Sequence, residues 1–282
     1  MKRFVTALAA MSVAAGLVPS AASAAEVQIG VTASPLISPT CPEGVSAQDC
    51  TIVMTQVTAF ETLRDGVSNP TKISQSGMVD SFSVGLAGTS TITAADIKYL
   101  DSTYGGVPEV QLTVLRPVGT ATDPSFRVAA QSPVYPIQSQ LGQVAEIPLT
   151  TPLPVVRGEL LALTVPTWAP VLSFDLSTTQ FSYSQSRMQS TVATKNGSQS
   201  TSSSSCNTSS GANLAQLTVG QLSHYSCNYL GTRVEYSALE ITTPTGLTAS
   251  ARHRRERRAD GRRRGAERKP RRGGSGHHRS HR

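Results

Sequence analysis

The amino-acid sequence predicts an all-β chain, an antiparallel β-sandwich, on three observations. Short apolar runs alternate with period two, Gly, Pro, Ser or Asp closes them, and no stretch of comparable length carries an apolar stripe at helical spacing. The clearest run is residues 107–117, where Val110, Leu112 and Val114 alternate with Gln111 and Thr113 and Pro117 ends the strand. It reads as a half-buried strand with a hard stop. Composition agrees, because 282 residues with 15% charged and 5% aromatic side chains and abundant Ser, Thr, Gly and Pro suit many short strands joined by turns.

The elements follow in order. Residues 1–24 read as a signal peptide: Lys2 and Arg3 are a positive start, Phe4 to Val18 a short apolar stretch, and Ala22-Ser23-Ala24 a cleavage site. A mature start at Ala25 and a secreted, extracellular or cell-surface protein are expected, since the apolar run falls short of the roughly 20 residues a spanning helix needs. Val27 to Thr32 starts the first strand, and Pro35, Pro39, Pro42 and Gly44 make an irregular loop. Thr51 to Phe60 resumes strand character, with Val53 and Val57 on one face and Ile52 and Met54 on the other.

Residues 64–77 are turn-rich, and Phe82, Val84 and Leu86 then alternate with Ser81, Ser83 and Gly85 as a one-sided strand. Ile92 to Leu100 and the Tyr104-Gly105-Gly106 turn lead into the 107–117 strand. Further strands are expected at Phe126 to Val128, Val144 to Ile147, Leu161 to Val165, Phe174 to Tyr183, Asn213 to Val219 and Arg233 to Thr242. In the last of these Val234, Tyr236 and Ala238 point one way and Leu239 and Ile241 the other, so a bulge or a change of facing layer is expected. The sandwich domain is placed at 25–242.

Four cysteines, Cys41, Cys50, Cys206 and Cys227, are an even count in an oxidising compartment, and local pairing, Cys41 with Cys50 and Cys206 with Cys227, is expected among three connectivities. Residues 197–211, Ser-rich around Cys206, are too polar to be core and read as an exposed loop. Asn196 and Asn207 match the N-glycosylation pattern, which matters only in a eukaryotic secretory pathway.

Charge divides the chain. Residues 252–282 hold 14 Lys/Arg against 3 Asp/Glu, a net +11, whereas 25–251 hold 9 against 15, a net −6. A partner inferred from basicity is therefore a partner of the tail, such as cell-wall phosphate polymers or released nucleic acid. Residues 243–282 read as a disordered basic tail or, equally, as a truncated or frame-shifted second domain. Thr243-Pro-Thr-Gly-Leu-Thr-Ala-Ser250 resembles the opening strand of a fibronectin type III domain that nothing after Ala251 continues.

A wider resemblance rests on the signal peptide, the early Cys pair, the strand from Gly77 to Val84, the Val110-to-Pro117 strand and the Pro154-Val-Val-Arg-Gly-Glu-Leu-Leu161 turn and strand. Together these resemble secreted proteins of high-GC Gram-positive bacteria over about residues 25–242. The resemblance implies a jelly-roll-like sandwich and an extracellular address, and it brings no catalytic residues. The Ser-rich insertion and the basic tail depart from it.

Chemistry-bearing motifs are scarce. There is no G-x-S-x-G elbow, H-E-x-x-H helix or Gly-rich phosphate loop, so no cofactor is expected. His224 precedes the tail alone and reads as a packed or surface residue. Asp96 and Asp101 could contribute to a calcium site, but two such carboxylates usually mark a solvated loop, and no metal is expected. Trp168, the one tryptophan, lies between Pro166 and Pro170, which places it in a loop at one end of the sandwich. It is the candidate ligand-binding residue, able to stack on a sugar ring; the alternative, that it folds back to plug the core, is favoured for a large aromatic at a strand end. The function expected is a non-catalytic binding or adhesion module for an extracellular glycan or cell-surface polymer, ahead of a structural envelope or matrix protein and of a secreted hydrolase.

Overall fold

The computed structural model describes residues 24–45, 50, 52–121, 123–187, 214–225 and 228–243. The Ser-rich insertion, both Asn sequons, Cys206, Cys227, residues 1–23 of the expected signal peptide and the basic residues 252–282 lie outside the described residues.

Among the described residues the strands are β1 (Glu26–Ile29), β2 (Met54–Arg64), β3 (Val67–Ser68), β4 (Gly77–Gly85), β5 (Glu109–Pro117), β6 (Ser125–Gln131), β7 (Tyr135–Pro136), β8 (Val144–Val155), β9 (Leu160–Ala169), β10 (Leu172–Ser173), β11 (Ser182–Gln185), β12 (Leu222–His224), β13 (Asn228–Leu230), β14 (Arg233–Val234) and β15 (Tyr236–Thr242). One α-helix, α1 (Ala94–Tyr104), interrupts them. A small sheet has the order β1-β15-β4-β8, and a large one runs β12-β6-β5-β9-β2-β11-β13, with β3 beside β2, β7 beside β5, and β10 paired with β14. Every pairing is antiparallel. The chain is an all-β, sandwich-like protein.

The main core lies between the sheets. Val79, Phe82, Val84, Tyr236 and Ala238 of the small sheet meet Val57, Ala59, Val110, Leu112, Val114, Leu161, Leu163 and Val165 of the large one. Along each strand these are alternating positions that period-two patterning sends to one face, except in β4, where a bulge between Val79 and Ser81 brings Val79 to the same face as Phe82 and Val84. Turns obey local chemistry as well. The β2–β3 hairpin closes on Asp65-Gly66, both with positive φ (50° and 77°), the turn whose twist matches the flanking strands.

Several elements differ from the sequence reading. β5 is buried on both faces, since Gln111 and Thr113 are as enclosed as Val110 and Leu112; the segment 214–225 covers its outer side. That segment is itself not a strand until Leu222, so the strand expected up to Val219 is replaced by a hydrogen-bonded loop. In β2, Met54 and Val57 both reach the main core because a bulge at Gln56 (φ 45°) shifts the alternation between them.

Helix α1 is the largest correction. Thr93 caps it, accepting from the Asp96 N–H at 3.2 Å while Asp96 accepts from the Thr93 N–H at 2.9 Å, and Gly105 ends it in the left-handed conformation (φ 91°). Ile97, Leu100 and Tyr104 pack at helical spacing against a satellite core of Ile52, Ala87, Ile92 and Trp168. Its stripe is too thin to announce a helix.

In β15 the inward face runs Tyr236, Ala238, Glu240 and Thr242 without reversal, leaving Ile241 exposed. The expected bulge exists, between Leu239 and Glu240 in the pairing with β4. The apolar pattern misled because a buried position is held by a glutamate.

Candidate functional site

Trp168 lies inside β9, opposite Thr55 of β2, and not in a loop. Pro166 is tolerated there for two reasons. Pro166 and Thr167 face the single bulged residue Gln56, and β5 has already left this side of β9 after the Gln111–Thr164 pair. The indole is fully buried in the satellite core, and its Nε1–H donates to Asp101 Oδ1 at 2.9 Å and to the Gly106 carbonyl at 3.1 Å. The ring therefore plugs one end of the sandwich and joins β9 to α1.

The outer face of the large sheet carries the most extended side-chain network. Thr113, Thr164 and Thr58 stand side by side on β5, β9 and β2, with hydroxyl contacts of 2.6 and 2.8 Å. Gln131 donates to Thr113 at 3.0 Å and to the Gln216 carbonyl at 2.6 Å, and the Gln216 N–H donates to Thr58 at 2.9 Å. Ser186 receives the Thr58 N–H at 2.9 Å and donates to the Leu214 carbonyl at 2.6 Å. Tyr225 donates its hydroxyl to the Gln216 side chain and packs tilted against Phe60 and edge-to-face against Phe126 over the apolar end of the same face. Burial raises the Tyr225 hydroxyl well above its usual range.

Segment 214–225 is thus fastened by polar groups that point inward. Apart from buried Tyr225 and half-buried Leu214, its large apolar side chains point the other way: Leu217, Val219 and Leu222 are 48%, 66% and 42% exposed. This reverses the usual soluble pattern, in which apolar groups turn in. Sequence reasoning placed Leu217 and Val219 in a strand over 213–219 and assigned Leu222 to no element, so it did not single out these three residues.

A second cluster is ionic. Arg64 and Glu61 pair at 3.3 Å with both side chains wholly buried, and Arg233 and Glu235 pair at 3.0 Å, equally enclosed. Arg64 also donates to the carbonyls of Gly30, Ser34 and Tyr236, and Arg233 to that of Pro35 at 2.7 Å. Glu235 accepts from Ser173 at 2.7 Å and from the Ile37 N–H at 3.3 Å. Burial pushes the Glu61 carboxyl well above the usual carboxylate range and Glu235 up to about 7, more than their arginines lower them. These acids are structural ties, each already bonded to a neighbour.

The remaining predicted residues have local roles. Asp96 completes the α1 cap, whose hydrogen bonds from Thr93 lower its carboxyl, and Asp101 anchors the indole, so the two carboxylates do not converge on an ion. Among the described residues no group of three metal-ligating side chains occurs. Cys41 and Cys50 form a disulfide with Cα atoms 5.6 Å apart. His224, in β12, contacts Ser125 Oγ at 3.0 Å and Asp123 Oδ1 at 3.4 Å through the same nitrogen, Nδ1. A relay needs the serine and the carboxylate on opposite ring nitrogens, so this is not a nucleophile–base–acid arrangement.

No protein-family model, curated protein or solved structure matches the chain. The fold and the two networks define an all-β sandwich-like protein with a polar outer layer on its large sheet and buried ion pairs at the strand ends. No helix among the described residues is long and apolar enough to cross a membrane.

Proposed function

We propose that the chain is a secreted, non-catalytic binding or adhesion module that meets a glycan or polymer at a cell surface through residues 217–222. The observation that carries this reading is the reversed segment 214–225, which holds Leu217, Val219 and Leu222 outward on a base of inward hydrogen bonds. Exposed apolar groups on a fixed backbone suit recognition, because little ordering entropy is lost when they are covered. The Cys41–Cys50 disulfide suits an oxidising compartment, in keeping with the signal-like residues 1–24. The acids of the ionic cluster are committed to arginines and backbone, which favours a scaffold over acid-pair catalysis. The basic residues 252–282 would add attachment to polyanions.

The test compares the chain with a Leu217→Ser, Val219→Ser, Leu222→Ser triple variant for binding to intact Gram-positive cells and to a glycan array. The expected result is at least a tenfold loss of affinity with an unchanged melting temperature. Deleting 252–282 should remove the salt-dependent part of binding and leave the rest. Unchanged binding by the triple variant would overturn the assignment of the face, and turnover in a hydrolase screen would overturn the non-catalytic reading. Self-assembly without any partner would favour an envelope or matrix protein.

A further inference from the structure

We infer that the N-terminal arm, residues 24–41, is a detachable flap on the sandwich, held closed in mildly acidic solution and released as pH rises. The arm comprises β1 and the strap 30–41. Among the described residues β1 is an edge strand that pairs with β15 alone, and the left-handed Gly30 (φ 79°) turns the chain away from it. The strap is fastened by polar contacts. Thr32 and Ser34 donate to Asp65 at 2.5 to 2.7 Å, Arg64 and Arg233 donate to the carbonyls of Gly30, Ser34 and Pro35, and Ser38 donates to the Leu86 carbonyl at 2.5 Å. Two of its larger apolar side chains, Val31 and Ile37, are 51% and 47% exposed, while Leu36 is half-buried and Pro39 buried. Hydrophobic burial therefore holds the strap less than it holds β1, whose Ile29 packs into the main core. The Cys41–Cys50 disulfide anchors its far end.

Three buried carboxylates line the underside. Glu240 sits on the inner face of β15 between Val27 of β1 and Val79 of β4, and neither of its oxygens accepts a hydrogen bond from the protein. Glu235 accepts from the arm's Ile37 N–H, and Glu61 is linked to the arm through Arg64. The charged groups facing Glu235 are Arg233 beside it, Arg64 from β2 and Glu61, with the Ser173 hydroxyl from β10; Glu61 faces Arg64, which lowers its carboxyl, and Glu235 and Asp65, which raise it. Asp65, which the strap hydroxyls keep ionised against the opposing effect of desolvation, is the counterweight.

The sign follows from linkage. All three glutamates have carboxyls raised by burial, so the closed arm binds protons more tightly than an open arm that returns them to water. Closure is therefore strongest in mildly acidic solution, where Glu235, raised to about 7, holds its proton and Asp65, lowered from the ordinary aspartate value, is still charged. It weakens as pH climbs from the ordinary glutamate range through about 7, the Glu235 value.

The experiment is hydrogen exchange on the purified, oxidised full chain at pH 5.5, 7 and 8.5, corrected for the intrinsic exchange rate. The amides of Gly30, Ser34 and Ile37 are compared with those of β5. The expected result is an opening constant for the arm that rises about tenfold or more from pH 5.5 to 8.5, with β5 changing less. Glu240→Gln with Glu235→Gln should flatten that rise; should the double variant not fold, Glu240→Gln alone must reduce it. Opening independent of pH, a rise shared equally by β5, or a slope untouched by the substitutions would overturn the inference.

Discussion

The Trp168 indole donates to the Asp101 carboxylate at 2.9 Å, so the end of β9 and the last turn of α1 are joined by one partly buried bond. Asp101→Ala leaves the indole N–H with the weaker 3.1 Å contact to Gly106 alone. A loss of about 1–2 kcal/mol is expected, the usual cost of removing one partner of an enclosed hydrogen bond. Urea unfolding followed by Trp168 emission measures it directly. The wild-type emission should be blue-shifted and resistant to acrylamide, and an unchanged urea midpoint in the variant would mean that the bond contributes nothing.

The same helix offers a second test at its start. Thr93→Ala removes both hydroxyl bonds of the capping box, and a loss of about 1 kcal/mol is expected. Because α1 packs beneath the indole, exchange of the α1 amides should accelerate before that of β5. Equal acceleration everywhere would indicate global destabilisation in place of local fraying.

The strands were legible because their inward residues alternate over long runs and punctuating residues end them, as in β4 and β5. α1 was not, although Thr93-Ala-Ala-Asp96 and Gly105 are its start and stop signals, because it contributes a thin apolar stripe of Ile97, Leu100 and Tyr104. Trp168 was placed in a loop by a proline rule that holds for a fully paired strand and fails at a bulge where one neighbour has ended. The ionic cluster and the exposed face at 217–222 were hidden for a shared reason. Pattern reading sends apolar residues inward and charges outward, and at Glu61, Arg64, Glu240, Leu217 and Val219 this chain does the reverse.

Disulfide removal should act on the unfolded chain more than on contacts. Cys41 and Cys50 are separated by 9 in sequence, and closing so short a loop is worth about 2–3 kcal/mol in the chain-entropy account. A Cys41→Ser, Cys50→Ser variant should show a lower denaturant midpoint with an unchanged core spectrum. A wild-type midpoint would mean that strap 30–41 is fixed fully by Asp65, Arg64 and Arg233.

Glu240 provides the sharpest stability prediction, since the fold encloses a carboxylate to which it supplies no hydrogen bond. Burial raises its carboxyl above the unfolded value, so the folded state is penalised where Glu240 ionises and is not penalised where it stays protonated. The penalty is absent below the ordinary glutamate range, grows as pH rises through it, and levels off once the folded group has ionised. Glu240→Val puts a β-branched side chain between Val27 and Val79, where a cross-strand apolar contact replaces the charge. The variant should therefore be more stable than the native chain by about 1 kcal/mol or more at pH 8, a typical cost of an unsatisfied buried polar group, and close to it at pH 4. Urea midpoints at the two pH values decide the matter. An equal gain at both would assign the effect to packing, and a loss at pH 8 would mean that the Glu240 carboxylate stabilises the native fold.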